Sequence, residues 1–191
     1  MRLVLQPIKL DDRFFPDISF MLPALPEVFR FDDNFAINKP ISKLPLQLFD
    51  CSREQYLSDS ILSWLDQSLV LVLPENTKLL AVCGFDAYFG KYNFCFGQAI
   101  IGGRVAAIYL ERLLPNISRD DHKFQALFAE RIIKEAIHEL GHTFGLRHCS
   151  IDFCIMFKSK TISDTDRKSR EFCRRCLNPL SSSFLPSLKR S

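Results

Sequence analysis

A five-residue run in the C-terminal half of the chain has the residue types and the spacing of a hydrolytic metal site: His138-Glu139-Leu140-Gly141-His142. Side chains four positions apart on an α-helix lie on one face, so the two imidazoles can bind the same ion. Glu139 is turned by about 100° from His138, which brings its carboxylate near the ion without making it a ligand. A carboxylate in that place can take a proton from a metal-activated water. The run therefore predicts a helix that carries a catalytic metal.

The residues that follow this run supply a third candidate ligand. The pattern extends to HExxHxxGxxH, with Gly145 and His148 at its last two fixed positions. Six residues rotate a helix by about 600°, so His148 would face away from His142 if the helix continued. We therefore predict a turn at Gly145, where a helix end favours a positive φ that glycine adopts at low cost. Three histidines leave a tetrahedral zinc ion one open position, as in catalytic sites. The alternative, a chance helix with core histidines, would leave three imidazoles needing other polar partners.

Four of the seven cysteines form two short-spaced pairs just behind the histidines: Cys149 with Cys154, and Cys173 with Cys176. Four thiolates close a tetrahedral structural zinc site that has no open position. Because Cys149 directly follows His148, such a site would attach the end of the catalytic helix to the poorly periodic segment behind it. The spacing leaves two alternatives, a redox pair at Cys173 and Cys176 or four reduced core thiols.

Hydrophobic periodicity indicates the elements that would position these groups. A helix is predicted from about Lys123 to Phe144, with apolar residues at three- and four-residue steps. Ser52 and Gln55 match a capping box and predict the start of another helix. After Arg147 the periodicity fades, which predicts loops and a Ser/Pro-rich tail. Strands are predicted at 2–6, 78–85, 93–98 and 104–110.

Composition excludes several classes of protein. The 191 residues are 47% hydrophobic and 25% charged, which is typical of a globular domain and not of a disordered chain, a collagen or a coiled coil. No segment reaches the ~20 apolar residues of a membrane span, and no secretory signal is recognised. We therefore expect a cytoplasmic protein with reduced thiols and interpret Cys51, Cys83 and Cys95 as buried core residues. The net charge of +3 is by itself too small to argue for a nucleic-acid partner. Nucleic-acid binding through the cysteine pairs and the basic run at 158–175 is a weaker alternative.

Three segments carry a resemblance to a known family: HELGHTFGLRHC at 138–149, CIM at 154–156 and CRRC at 173–176. They resemble the archaemetzincins, small zinc metallopeptidases of the metzincin type with a second, four-cysteine zinc site. The runs at 94–99 and 103–113 are also similar to that family, so the resemblance covers roughly residues 79–176. It implies the catalytic zinc ligands His138, His142 and His148, the general base Glu139, the structural zinc ligands Cys149, Cys154, Cys173 and Cys176, and the Met-turn residue Met156.

The resemblance also implies an α/β (α+β) fold. We expect a compact metzincin-like single domain: a twisted mixed sheet with a backing helix and an active-site helix, then a small zinc-stapled C-terminal subdomain. The subdomains are placed at 1–145 and 146–191. By the same analogy, Phe94–Gln98 would be the edge strand above the cleft, and a peptide would add to it by β-pairing. Phe94, Phe96 and Gly97 are the candidate substrate-binding residues of that strand.

The predicted function is hydrolysis of peptide bonds by a zinc-bound water, with Glu139 as general base. The predicted cofactors are two zinc ions per chain, one catalytic and one structural. We expect a monomer that acts on a peptide or protein substrate and has no membrane partner. The alternative is a zinc-binding protein that recognises a peptide or a partner with little or no proteolytic activity. Binding of a hydroxamate at an exchangeable zinc position would discriminate the two.

Overall fold

A five-stranded sheet and a long helix packed on one of its faces organise the chain. A computed structural model describes residues 1–10, 14–29 and 35–184, with the backbone alone for 181–184. Short 3₁₀ turns lie at Leu46–Leu48, Val70–Val72 and Glu111–Leu113. The strands and helices, in chain order, are β1 (Arg2–Ile8), α1 (Met21–Phe29), β2 (Phe35–Ile37), β3 (Phe49–Asp50), β4 (Gln55–Leu57), α2 (Ser58–Ser68), β5 (Thr77–Cys83), β6 (Ala87–Tyr88), β7 (Gly97–Ala99), β8 (Val105–Tyr109), α3 (His122–Thr143), α4 (Ile162–Arg167) and α5 (Arg174–Phe184).

The main sheet has five strands in the order β2-β1-β5-β8-β7. All neighbours are parallel except β7, which is antiparallel to β8. Strands β5 and β8 are buried along nearly their whole length, as expected for parallel strands covered on both faces. Strand β7 lies at the open edge beside β8. A smaller sheet of β3, β4 and β6 lies beside this one, so the expected mixed α/β fold is confirmed.

Alternate residues of the central strands enter two separate hydrophobic cores. Leu80 and Ile108 pack on the side of α1 and α3. Leu79 and Tyr109 pack on the opposite side, against Ile61 and its neighbours in α2. The period of two in a strand produces this division. Helix α3 therefore lies on one face of the sheet and α2 packs on the other.

Helix α3 begins and ends close to the predicted residues. Asp121 caps its start by accepting a hydrogen bond from the backbone N–H of Lys123 at 2.8 Å. The turns before Thr143 are buried on every side, because the sheet, α1 and the C-terminal segment all pack around them. In the described part of the chain, α3 and the other helices are not apolar enough over a sufficient length to cross a membrane.

Two predictions about local structure are wrong. Gln55 does not cap a helix; it pairs in β4, and its Nε2 donates to Asp86 Oδ2 at 2.8 Å and to the Asn93 carbonyl at 2.9 Å. These long-range bonds outweigh the local capping pattern, and α2 begins only at Ser58. The C-terminal segment also contains the helices α4 and α5, where loops were expected. Part of the predicted Ser/Pro-rich tail, 185–191, lies outside the described residues.

Candidate metal centre and substrate cleft

The three predicted histidines converge at the C-terminal end of α3. Their ring nitrogens lie within 4.8 Å of one another. His138 and His142 come from consecutive turns of the helix, and their Nε2 atoms are 3.2 Å apart. The ring of His148 stands 5.3 Å from that of His138 and 4.9 Å from that of His142, measured between centroids. The side chains are therefore arranged around one point.

A turn at Gly145 returns His148 to this point. Gly145 has a φ of +87°, as predicted, and a Cβ at this position would have no atom within 4 Å. The requirement for glycine is therefore one of backbone conformation and not of space. The N–H of Gly145 donates to the His142 carbonyl at 2.9 Å, and that of Leu146 donates to the Gly141 carbonyl at 3.1 Å. These bonds satisfy the last carbonyls of the helix while reversing the chain.

Backbone carbonyls set the tautomers of two histidines. Nδ1–H of His138 donates to the Ile155 carbonyl, and Nδ1–H of His142 donates to the Leu146 carbonyl, each at 2.7 Å. A carbonyl only accepts, so the hydrogen lies on Nδ1 and the lone pair of each Nε2 faces the centre. Burial lowers the pKa of His138 well below its usual value, which keeps the ring neutral.

Two lone pairs that face each other at 3.2 Å repel unless a cation lies between them. Zinc bound tetrahedrally at ~2.0–2.1 Å holds its nitrogen ligands about 3.3 Å apart. The donor set, the tautomers and the spacing therefore fit a zinc ion. Burial also lowers the pKa of His148 to about 4, so this ring too is unprotonated at neutral pH.

The carboxylate of Glu139 is held beside the histidines by a close approach of the edge strand. A Cβ on Gly97 would stand 2.6 Å from Glu139 Cγ and 2.9 Å from the Ala107 carbonyl oxygen, so only glycine leaves room for this side chain. Glu139 is 4% exposed, and its Oε2 has no hydrogen-bond partner within the described ranges. Burial raises the pKa of Glu139 well above its usual value and the Glu135 carboxylate acts in the same direction, whereas the Lys168 ammonium opposes them.

The four clustered cysteines form a second group of donors. Their Sγ atoms all lie within 4.8 Å of one another, with Cys149 to Cys173 and Cys154 to Cys176 both at 3.8 Å. A disulfide requires about 2.05 Å, and all seven cysteines are free. Sulfur ligands of tetrahedral zinc, at ~2.3 Å from the ion, stand about 3.8 Å apart. This group therefore also fits zinc and has no open position.

Met156 lies beneath the helix that carries the histidines. It is fully buried, and its Sδ would be 2.6 Å from a Cβ on Gly141. The residue before it, Ile155, accepts the hydrogen bond from His138. The carbonyl of Met156 accepts from the N–H of Cys149 at 2.8 Å. The chain segment of the predicted Met-turn thus contacts both the histidine helix and the cysteine group.

A cavity of about 600 Å³ opens above the histidines and Glu139. One wall comes from β7 and the chain before it, where Phe94, Phe96 and Gly97 all line the cavity. The strand itself is shorter than predicted and begins at Gly97. Phe96 precedes it and is only 6% exposed, because its ring packs into the core beneath the cleft. The opposite wall contains Arg147, Lys158, Ser159 and Lys160.

Charged side chains that no sequence pattern predicts hold the C-terminal segment against α3. Lys168 Nζ lies 2.9 Å from Glu135 Oε1, and both side chains are almost fully buried. Thr165 donates to the same Glu135 oxygen at 3.0 Å. Arg131 binds both carboxylate oxygens of Asp166 at 2.7 Å. Charged residues on the buried side of α3 were the available signal, but their partners, about 30 residues away, leave no local pattern.

Of the three cysteines interpreted as core residues, only Cys83 is fully buried. Cys95 is partly buried, and burial raises the pKa of its thiol to about 12. Cys51 is exposed, because it follows β3 in a turn at the surface. The prediction of a buried residue is therefore wrong for Cys51.

Comparison with known proteins agrees with this geometry. The archaemetzincin of Archaeoglobus fulgidus is 33% identical over 94% of this chain and 99% of its own. Its crystal structure, a complex with malonate, matches with a TM-score of 0.72. The archaemetzincin structure from Methanopyrus kandleri is 34% identical, covers 95% of this chain and 94% of its own, and matches with a TM-score of 0.76. The archaemetzincin of Pyrococcus furiosus is 42% identical over 74% of each chain.

The family model described as peptidase family M54 matches residues 49–182. This range includes both groups of candidate metal ligands and extends beyond residues 79–176, over which the sequence resembles the family. The relative from A. fulgidus further extends the similarity across the proline-rich N-terminal region, for which the sequence alone offered no family. The chain belongs to peptidase family M54 and is a zinc metallopeptidase similar to the archaemetzincins.

Proposed function

We propose that the chain hydrolyses peptide bonds at a zinc ion held by His138, His142 and His148, with Glu139 as the general base. The observation that carries this proposal is the pair of Nε2 lone pairs at 3.2 Å, beside a Glu139 oxygen that has no hydrogen-bond partner among the described residues. When bound, zinc would lower the pKa of a coordinated water and polarise the scissile carbonyl. The remaining steps depend on side chains and backbone of this chain.

Glu139 is the residue proposed to move the proton. It lines the same cavity as the histidines, and its Oε2 accepts no hydrogen bond from other described residues. That oxygen is free to accept the proton of the attacking water and then to deliver it to the leaving amine. The close packing of Gly97 on Cγ and Oε1 limits the carboxylate to one orientation.

Strand β7 is proposed to align the peptide. The Phe96 carbonyl accepts from the N–H of Tyr109 at 2.8 Å, and the Ile100 N–H donates to the Val105 carbonyl at 3.0 Å. Because bonding alternates along an antiparallel strand, Gly97 and Ala99 direct their N–H and C=O groups to the open edge. An extended peptide can pair with these groups.

The strand proposal is tested best at residue 99. Phe96 faces β8, so a proline there would disturb the sheet itself. Ala99→Pro removes an N–H from the open edge, and we expect it to raise KM with little change in zinc content. An unchanged KM would contradict the pairing of the peptide with β7.

A second zinc ion, held by Cys149, Cys154, Cys173 and Cys176, is proposed to be structural. The 3.8 Å sulfur spacings support this role, as does the absence of a fifth donor in this cluster among the described residues. Met156 would then act as the Met-turn, since its neighbours link the two ligand groups. We further propose a division into 1–145 and 146–191 at the Gly145 turn, and a monomer in the cytoplasm, where free thiols persist.

The decisive experiment compares Glu139→Gln with Glu130→Gln, a matched change on the same helix. In zinc-loaded protein assayed with a broad fluorogenic peptide library, we expect Glu139→Gln to lower kcat by roughly 10²–10⁴. Glu130 is partly exposed and pairs with Arg170, so its variant should keep the activity. Equal activity of the two variants would refute the role of Glu139. Failure of the wild type to cleave any peptide would refute the proposed function and favour partner recognition.

A further inference from the structure

The charges that line the cleft have one sign where they are exposed. Arg147, Lys158 and Lys160 line the wall opposite β7, and all three are exposed. Within residues 1–10, 14–29 and 35–184, none of them forms an ion pair with a carboxylate. The two acidic residues that line the cavity, Glu135 and Glu139, are 2% and 4% exposed.

Neither acidic residue cancels these cations at the cleft mouth. Glu135 pairs with the buried ammonium of Lys168 at 2.9 Å, so its charge is already balanced. Glu139 lies at the floor beside the histidines. A further carboxylate near the rim, Asp59, accepts from Gln98 Nε2 at 2.7 Å; it belongs to α2, on the far face of the sheet. The field at the mouth is therefore positive, and a half-enclosed cleft concentrates such a field.

Lys158 is held at the mouth of the cleft by Tyr92, which lies in the wall formed by β7 and the chain before it. Its Nζ lies 3.4 Å from Tyr92 Oη and 4.8 Å from the centroid of the Tyr92 ring. Cation–π contact of this kind fixes the ammonium without neutralising it. The side chain therefore presents to an entering peptide a charge that no carboxylate of the described residues neutralises. Next to it, the buried Oγ of Ser159 has no hydrogen-bond partner in the described part of the chain.

We propose that the cleft selects peptides with an acidic side chain close to the scissile bond, and that Lys158 is the main specificity-determining residue. This inference rests on the proposed function, because it names the substrate class of the same site. A carboxylate that enters replaces the Tyr92 contact with an ion pair to Lys158, while Arg147 and Lys160 add to its attraction. The Ser159 hydroxyl can donate to the same carboxylate. The aromatic wall accommodates the rest of the peptide.

The test uses matched fluorogenic peptides that differ only by Glu or Gln at one position on either side of the cleaved bond. For the zinc-loaded wild type we expect kcat/KM to favour Glu by roughly fivefold to tenfold at low ionic strength. The preference should shrink at high salt, since these charges are screened. Lys158→Gln should reduce the ratio by about threefold, and Lys158→Glu should reverse it. Lys123→Gln, an equal loss of charge at the exposed start of α3, should leave the ratio unchanged.

A second readout separates this inference from the proposed function. The Glu and Gln peptides are also prepared with an N-methylated, uncleavable bond, and their binding is measured by fluorescence anisotropy. Tighter binding of the Glu peptide that is lost in Lys158→Glu supports the inference, even if no peptide is cleaved and the proposed function fails. Cleavage without a Glu preference, or a preference that Lys158→Glu leaves intact, overturns the inference and leaves the proposed function standing.

Discussion

Replacement of Lys168 by methionine is expected to destabilise the folded chain by about 3–5 kcal/mol. Lys168 Nζ lies 2.9 Å from Glu135 Oε1, with the two side chains 0% and 3% exposed. At an effective dielectric constant of ~20, unit charges at that separation attract by about 6 kcal/mol. Methionine has a similar apolar stem, so the variant keeps the packing and loses the charge. It leaves a buried carboxylate without its counter-ion, which is the costly outcome.

The assay is thermal unfolding of zinc-saturated protein, followed by circular dichroism. For a chain of this length, 1 kcal/mol corresponds to about 2–4 °C, so the Tm of Lys168→Met should fall by roughly 6–20 °C. The control is Arg170→Met, which removes a cation from a pair with Glu130 whose side chains are 44% and 33% exposed. Such an exposed pair contributes less than about 1 kcal/mol, so its Tm should change by only a few degrees.

A double variant separates charge from packing. Glu135→Gln combined with Lys168→Met removes both charges, and the glutamine oxygen still accepts from the Thr165 hydroxyl. We expect it to recover much of the lost stability. Equal Tm shifts for Lys168→Met and Arg170→Met, or no recovery in the double variant, would contradict the cost assigned to an unpaired Glu135 carboxylate.

Substitutions at Gly97 and Gly145 and alkylation of the cysteines test other parts of the site. Gly97→Ala places a Cβ 2.6 Å from Glu139 Cγ and 2.9 Å from the Ala107 oxygen, so kcat should fall at least about tenfold through a displaced carboxylate; a normal kcat would contradict the close fit. Gly145→Ala forces a side chain into a φ of +87°, which costs roughly 1–2 kcal/mol and should weaken zinc binding by the histidines. Gly145→Asn should weaken zinc binding less, because asparagine adopts this conformation more readily. Equal zinc affinity of the wild type and both variants would contradict a role of the Gly145 turn in placing His148. In zinc-loaded protein at pH 8, iodoacetamide should modify Cys51 first, because it is the exposed cysteine. The Cys95 thiol stays protonated at pH 8 and should react slowly with iodoacetamide, since burial raises its pKa to about 12. Once a chelator has removed the zinc, iodoacetamide should also modify the four clustered cysteines. Their prompt modification before chelation would contradict a closed zinc site.

The histidine group could be predicted from the sequence because its geometry is local. Helical periodicity places His138 and His142 one turn apart, and the rotation to His148 requires a turn, which Gly145 provides with its φ of +87°. The spacing of the cysteines is also local within each pair. Neither inference needs knowledge of the sheet.

Features that depend on contacts far apart in the chain could not be predicted in this way. The helix predicted to begin at Ser52 does not form there, because the Gln55 side chain donates to Asp86 and to the Asn93 carbonyl. No local sequence pattern predicts those partners. The burial of Glu135 and Lys168 likewise follows only once α4 and the loop after it pack on α3. The edge strand begins three or four residues later than predicted, because Phe94 and Phe96 alternate with polar or small residues although they precede the paired segment at Gly97.

The zinc content per chain shows whether the histidines and the cysteines each bind an ion. Elemental analysis of wild-type protein, His142→Ala and Cys173→Ser, each purified without chelators, counts the ions against the protein concentration. We predict two zinc ions per chain in the wild type and one in His142→Ala, which keeps the cysteine-bound ion. One zinc ion in the wild type that His142→Ala retains in full would contradict a zinc site at the histidines.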